Sequence, residues 1–94
     1  MRTIERSSGF KRDYKRVKAT PRHGKDLDSL VSAIVGLLLH DYTLPESNRD
    51  HALSGEWAGY RECHLKPDLL LIYRKPDAHT LRLARLGSHS ELFG

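Results

Sequence analysis

The chain has 94 residues, 38% of them hydrophobic, which suits one compact domain over residues 1–94 and is too short for two. A formal charge of +4 and a pI of about 9.5 make a polyanion a natural partner without requiring one. The only cysteine, Cys63, excludes an internal disulfide, no His/Cys spacing has the form of a zinc finger, and neither a leader-like segment nor a membrane-spanning stretch is seen. The expectation is a packed cytoplasmic domain that avoids the membrane.

Residues 2–7 are read as a short first strand. Phe10, Tyr14 and Val17 then recur at helical spacing, with Ser7 or Ser8 available as a cap. The opposite face of this helix, Lys11, Arg12, Lys15, Arg16 and Lys18, is either an ordinary solvated surface or a contact for backbone phosphates. Thr20-Pro21-Arg22-His23-Gly24 forces a turn. From Lys25 to His40 a broad stripe of Leu27, Leu30, Val31, Ile34, Val35, Leu37 and Leu38 predicts the main core helix. Asp41 to Asp50, with Pro45, reads as a loop.

Beyond His51 the period changes. Tyr60 to Leu65 alternates, Leu69 to Tyr73 is continuously apolar, and Thr80 to Leu86 alternates again. Lys66-Pro67-Asp68 and Lys75-Pro76-Asp77-Ala78 supply turns, which favours an antiparallel meander. Ser88 and Glu91 have capping-box spacing for a short terminal helix, with His89 in its first turn. The expected fold is α+β: two N-terminal helices on a mainly antiparallel twisted sheet of about four strands, closed by a short C-terminal helix.

Of the six histidines, three of those in the second half stand in unusual company: His51, His64 and His89. Imidazole both takes and gives protons near neutral pH, so a pair of histidines can serve both halves of an acid-base reaction. Cleavage of RNA through its own 2′-hydroxyl has that requirement, together with cations for the phosphoryl charge; Arg61, Lys66, Arg82 and Arg85 lie in the same region. The competing readings are structural histidines, or a metal site of His51, His64, Asp68 and His89, although no tight ligand pair such as HExxH is present. Cys63 should pack inward, because it alternates with His64. Trp57, between Gly55 and Gly59, is read as a core residue on a closely packed strand, and Phe93 either packs locally or meets substrate.

Asp50-His51-Ala52-Leu53-Ser54-Gly55-Glu56-Trp57-Ala58-Gly59-Tyr60-Arg61-Glu62-Cys63-His64-Leu65-Lys66-Pro67-Asp68, then Leu71-Ile72-Tyr73 and Arg85 to Gly94, closely resembles the YafQ branch of the RelE/ParE toxin superfamily. The resemblance covers essentially the whole chain and implies a RelE-like fold. It implies a type II toxin that enters the ribosomal A site and cleaves mRNA there, with no metal or other cofactor. The implied partner is a cognate antitoxin, DinJ-like with a ribbon-helix-helix DNA-binding part, and operator DNA would be met only through that complex. The family's site residues fall on His51, His64, Asp68, His89 and Phe93, with its arginine on Arg85. Leu69 departs from the pattern, since such a toxin can carry tryptophan there. The superfamily also contains ParE-like gyrase poisons, and a basic helix would serve a non-catalytic RNA- or ribosome-binding protein, so the shared fold leaves three functions open.

Overall fold

The computed structural model describes residues 1–94 as β1 (Thr3–Arg6), α1 (Ser8–Lys18), α2 (Leu27–Leu39), β2 (His51–Ala52), β3 (Arg61–Lys66), β4 (Leu69–Arg74), β5 (Thr80–Gly87) and α3 (His89–Phe93). Two 3-10 turns, Glu46–Asn48 and Gly55–Trp57, flank β2. The strands form one sheet in the order β1-β5-β4-β3-β2, with β1 parallel to β5 and the other neighbours antiparallel.

The α+β class is as expected, but the sheet has five strands where about four were anticipated. His51–Ala52 is too short for alternation to reveal it. Trp57 also differs from the strand reading: it lies on a 3-10 turn bounded by Gly55 and Gly59 at φ +66° and +90°, a left-handed backbone that glycine adopts freely.

Ser7 caps α1, its hydroxyl accepting from the Phe10 N–H at 2.9 Å. Phe10, Asp13 and Val17 are buried on one stripe of that helix, and Leu27, Val31, Ile34, Val35 and Leu38 form the buried stripe of α2. Both stripes face Cys63, Leu65, Leu69, Leu71, Tyr73, Leu81, Leu83 and Leu86 of the sheet. The turn between the helices has to carry glycine, since a Cβ on Gly24 would stand 2.1 Å from the Lys18 carbonyl oxygen.

Leu69, Leu71 and Tyr73 of β4 point to the helices, while Leu70 and Ile72 meet Ala84 and Leu92 on the other side. This central strand is therefore covered on both faces, which explains its unbroken apolar run. Leu71 is fully buried, so Leu71→Ala should cost about 2–5 kcal/mol and lower Tm by about 8 °C or more in a thermal melt.

The pairing of β1 with β5 stops at Arg6 and Leu83, leaving the last part of β5 as a sheet edge. Side chains of α1 complete it. The Ser7 hydroxyl donates to the Ala84 carbonyl at 2.7 Å, the Leu86 N–H donates to Asp13 Oδ2 at 3.0 Å, and Arg16 Nη2 donates to the Leu86 carbonyl at 3.2 Å. Asp13, only 2% exposed, also accepts from Arg85 Nε at 2.6 Å, Arg85 Nη2 at 3.2 Å and Arg16 Nη1 at 2.8 Å. Burial alone would raise its pKa, but the hydrogen bonds from Arg85, Leu86 and Arg16 outweigh it and hold the carboxyl below its ordinary value.

The stabilisation from a depressed carboxyl is present above its unfolded pKa of about 3.9 and is lost as pH falls through the lower folded value. Asp13→Asn should therefore be less stable than the parent protein by roughly 2 kcal/mol at pH 7. The difference should shrink below about pH 4 in urea titrations, whereas a gap that stayed constant down to pH 3 would contradict this account.

Candidate active site

Directly paired strand residues share a face. Two rows accordingly cross the sheet on the side away from α1 and α2, His51, Glu62 and Ile72 in one and His64, Leu70 and Gly87 in the other, with Arg85 at the β5 edge, where a bulge pairs it with Ile72 and its side chain meets Asp13. Two strand spacings separate β3 from β5 by about 10 Å. The chain leaves Gly87 directly into α3, whose start is fixed by a capping box in which Ser88 N–H donates to Glu91 Oε1 at 2.8 Å and Glu91 N–H donates to Ser88 Oγ at 3.2 Å. Leu92 anchors α3 on Leu70 and Ile72, bringing exposed His89 and Phe93 to this face. The Phe93 ring is 5.0 Å from His89 and 6.5 Å from Trp57, yet stays 37% exposed.

The two other histidines are held by backbone carbonyls. Arg49, in the left-handed region at φ 48°, places its carbonyl 2.7 Å from His51 Nδ1, and the Pro67 carbonyl lies 3.3 Å from His64 Nδ1. A carbonyl only accepts, so both rings carry the proton on Nδ1 and leave the lone pair on Nε2. Glu62 lies between them, 5% exposed, with Oε2 3.3 Å from His51 Nε2 and 3.6 Å from His64 Nε2.

Asp68 is turned elsewhere. It pairs with Arg22 at 2.8 Å and His23 at 3.6 Å, both in the turn between α1 and α2, and meets none of His51, His64 or His89. Lys66 strengthens the same junction, reaching Asp26 at 2.9 Å and the Arg22 carbonyl at 3.3 Å. The β3–β4 turn that follows His64 is thus clamped to the helical layer. Asp68 therefore does not join His51, His64 and His89, and no set of three or more His, Cys, Asp or Glu side chains is disposed to hold a metal ion. Cys63 points inward as expected, and burial pushes its thiol up to about 12. Leu69 is fully buried, so it offers no surface to a base.

Most of the candidate phosphate-binding cations already face a carboxylate. Lys18 pairs with Asp28 at 2.7 Å, Arg61 with Asp50 at 3.2 Å, Arg82 with Glu5 at 2.6 Å, and Arg16 with both Asp13 at 2.8 Å and Glu91 at 3.1 Å. Lys11, Arg12 and Lys15 are exposed and unpaired, and exposed ion pairs such as Lys18–Asp28 are weak enough to exchange for a phosphate. The Arg85 ion pair with Asp13 uses one edge of the guanidinium, leaving the donors of Nη1 unused.

Three contributors escaped the sequence reading. Glu62 is two residues from His64 on one strand, so the alternation that sent Cys63 inward also put Glu62 beside His64. Asp13 stands between Phe10 and Val17 on an apolar helical stripe, an unusual place for a carboxylate. Asp50 accepts from the Tyr73 hydroxyl at 2.6 Å and anchors Arg61, a pairing that has no sequence signal.

A family model described as the bacterial toxin of the type II toxin-antitoxin system, YafQ, matches residues 2–94. The mRNA interferase toxin YafQ of Escherichia coli K12 is 39% identical over 93 residues, spanning 99% of this chain and 97% of its own length. YafQ in the crystal structure of the E. coli DinJ-YafQ complex superposes with a TM-score of 0.84 at 38% identity, covering 100% of both chains. A metal-bound toxin from Helicobacter pylori superposes at 0.85 with 48% identity, covering 99% of this chain and 100% of its own. On the strength of a match spanning nearly every residue, the chain belongs to the YafQ family of bacterial type II toxins.

Proposed function

We propose that this protein is an endoribonuclease toxin that cuts mRNA in the ribosomal A site by acid-base catalysis without metal, and that a DinJ-like antitoxin neutralises it. The observation that carries this reading is the single sheet face on which His51 and His64 are displayed beside His89 and Phe93 of α3, with Arg85 at its β5 edge. The Nε2 of His64 or His51 takes the proton of the ribose 2′-hydroxyl, whose oxygen attacks the adjacent phosphorus. The bond from phosphorus to the 5′-oxygen breaks, and His89 protonates that oxygen. Arg85 binds the phosphoryl oxygens through the donors that Asp13 leaves unused, and Phe93 stacks on a base. The products are a 2′,3′-cyclic or 3′-phosphate and a 5′-hydroxyl.

Asp68, with Arg22 and His23, fixes the turn behind His64 and so acts on the site from outside it. Lys11, Arg12 and Lys15 are the cations best placed to meet ribosomal or messenger phosphates, joined by Arg16, Lys18, Arg61, Lys66 and Arg82 wherever a phosphate displaces a carboxylate. The E. coli relative crystallised with DinJ supports the antitoxin assignment, and operator DNA enters only through such a complex.

The decisive experiment is 5′-end mapping of mRNA from translating ribosomes. The wild-type toxin should produce cuts confined to A-site codons, while His89→Ala should cleave at least a hundredfold more slowly. Near-normal cleavage by that variant would remove His89 from the chemistry. Since a relative from H. pylori has been crystallised metal-bound, the same assay with EDTA-treated protein separates the two chemistries: full activity is expected, and recovery only on adding back a divalent ion would replace the metal-free scheme.

A further inference from the structure

Resting on the nuclease reading above, we infer that Glu62 is the positioning residue of the site, a buried carboxylate set beside both imidazoles so that a proton accepted from substrate is held against a fixed negative charge. Glu62 comes from the middle of β3 and faces His51 from the edge strand β2 and His64 from its own strand. No lysine or arginine comes within 4 Å of it, and its cross-strand neighbour on the other side is Ile72, which is fully buried. Arg61, next in the chain, is drawn away by Asp50. The only cationic charge this carboxylate can meet at close range is therefore the one created on His51 or His64.

The contact geometry fits that role better than a structural one. Both Nδ1 atoms point at carbonyls, so the lone pair available to a substrate is on Nε2. Glu62 Oε2 stands 3.3 Å and 3.6 Å from the two Nε2 atoms, close enough to face a positive charge on either ring. It acts as a charge beside the rings. When a 2′-hydroxyl gives its proton to Nε2, the bonding electron pair remains on the attacking oxygen, the imidazole becomes a cation, and that cation forms facing an anion in a largely water-excluded position. The departing 5′-oxygen receives its proton from His89, so the site as a whole returns to its starting charge once the two histidines re-equilibrate with solvent.

Glu62→Gln keeps the shape and removes the charge. Single-turnover cleavage at saturating programmed ribosomes should fall by about tenfold to a hundredfold, with the half-saturating ribosome concentration unchanged. Glu62→Asp should recover part of the rate. In parallel, ring 15N NMR of the free protein should show His51 and His64 with Nδ1 protonated in the neutral state, and both ring signals should move in Glu62→Gln. An undiminished rate in Glu62→Gln would overturn the assignment, as would equal losses in the Gln and Asp variants accompanied by unfolding, because those results describe a structural residue. Should the wild-type protein fail to cut RNA, the nuclease reading falls while the ring spectra still decide whether Glu62 faces the two rings.

Discussion

The arrangement depends most on one buried carboxylate. Asp13 sits on the inner stripe of α1 and accepts from the backbone of β5 and from two arginines. Each of those arginines leads to a different part of the molecule. Arg85 is oriented at the β5 edge of the sheet face that bears the histidines, and Arg16 goes on to Glu91, the residue that closes the capping box of α3. A charge in the interior is tolerable only where its hydrogen-bonding capacity is used, and here that requirement fixes α1, the free edge of β5 and α3 relative to one another. α3, fixed by Leu92 and its capping box, is thereby also linked to an aspartate near the other end of the sequence.

The histidine face is open. A hollow of about 640 Å³ lies between α1, α2 and β1 against Phe10, Tyr14, Val31 and Val35, apart from His51, His64, His89, Arg85 and Phe93. His51 and His64 are held by backbone carbonyls, while His89 and Phe93 stand exposed at the surface. Holding reactants in register accounts for several kcal/mol of a typical barrier, and a surface of this kind has to obtain that contribution from whatever presents the RNA. In the function proposed above, the ribosome is the agent that presents it.

Much of the architecture was legible because it is local. The stripe from Leu27 to Leu38, the Ser88 and Glu91 cap, the turns containing Pro67 and Pro76, and the inward Cys63 all follow from spacing along the chain. His51, His64 and His89 were recognisable as residue types of the right chemistry, and the family pattern singled them out together. Their companions were not recognisable in the same way. Asp68 proved to face His23 rather than a site histidine, Asp13 meets a partner 72 residues away, and the two-residue strand carrying His51 is too short to leave a periodic trace. Glu62 was missed as well, although strand alternation alone places it beside His64.

The parallel pairing of Thr3–Arg6 with Thr80–Leu83 also orders events in time. A chain made from its amino terminus has nowhere to dock this first strand until the last strand exists, and contacts so distant in sequence are slow to form. Until Arg85 and Leu86 have been synthesised, Asp13 likewise lacks most of the donors that make its burial tolerable. The oriented arginine and the terminal helix therefore come into place only once β5 has emerged, whereas the β2–β4 part of the face rests on pairings closer together in the chain.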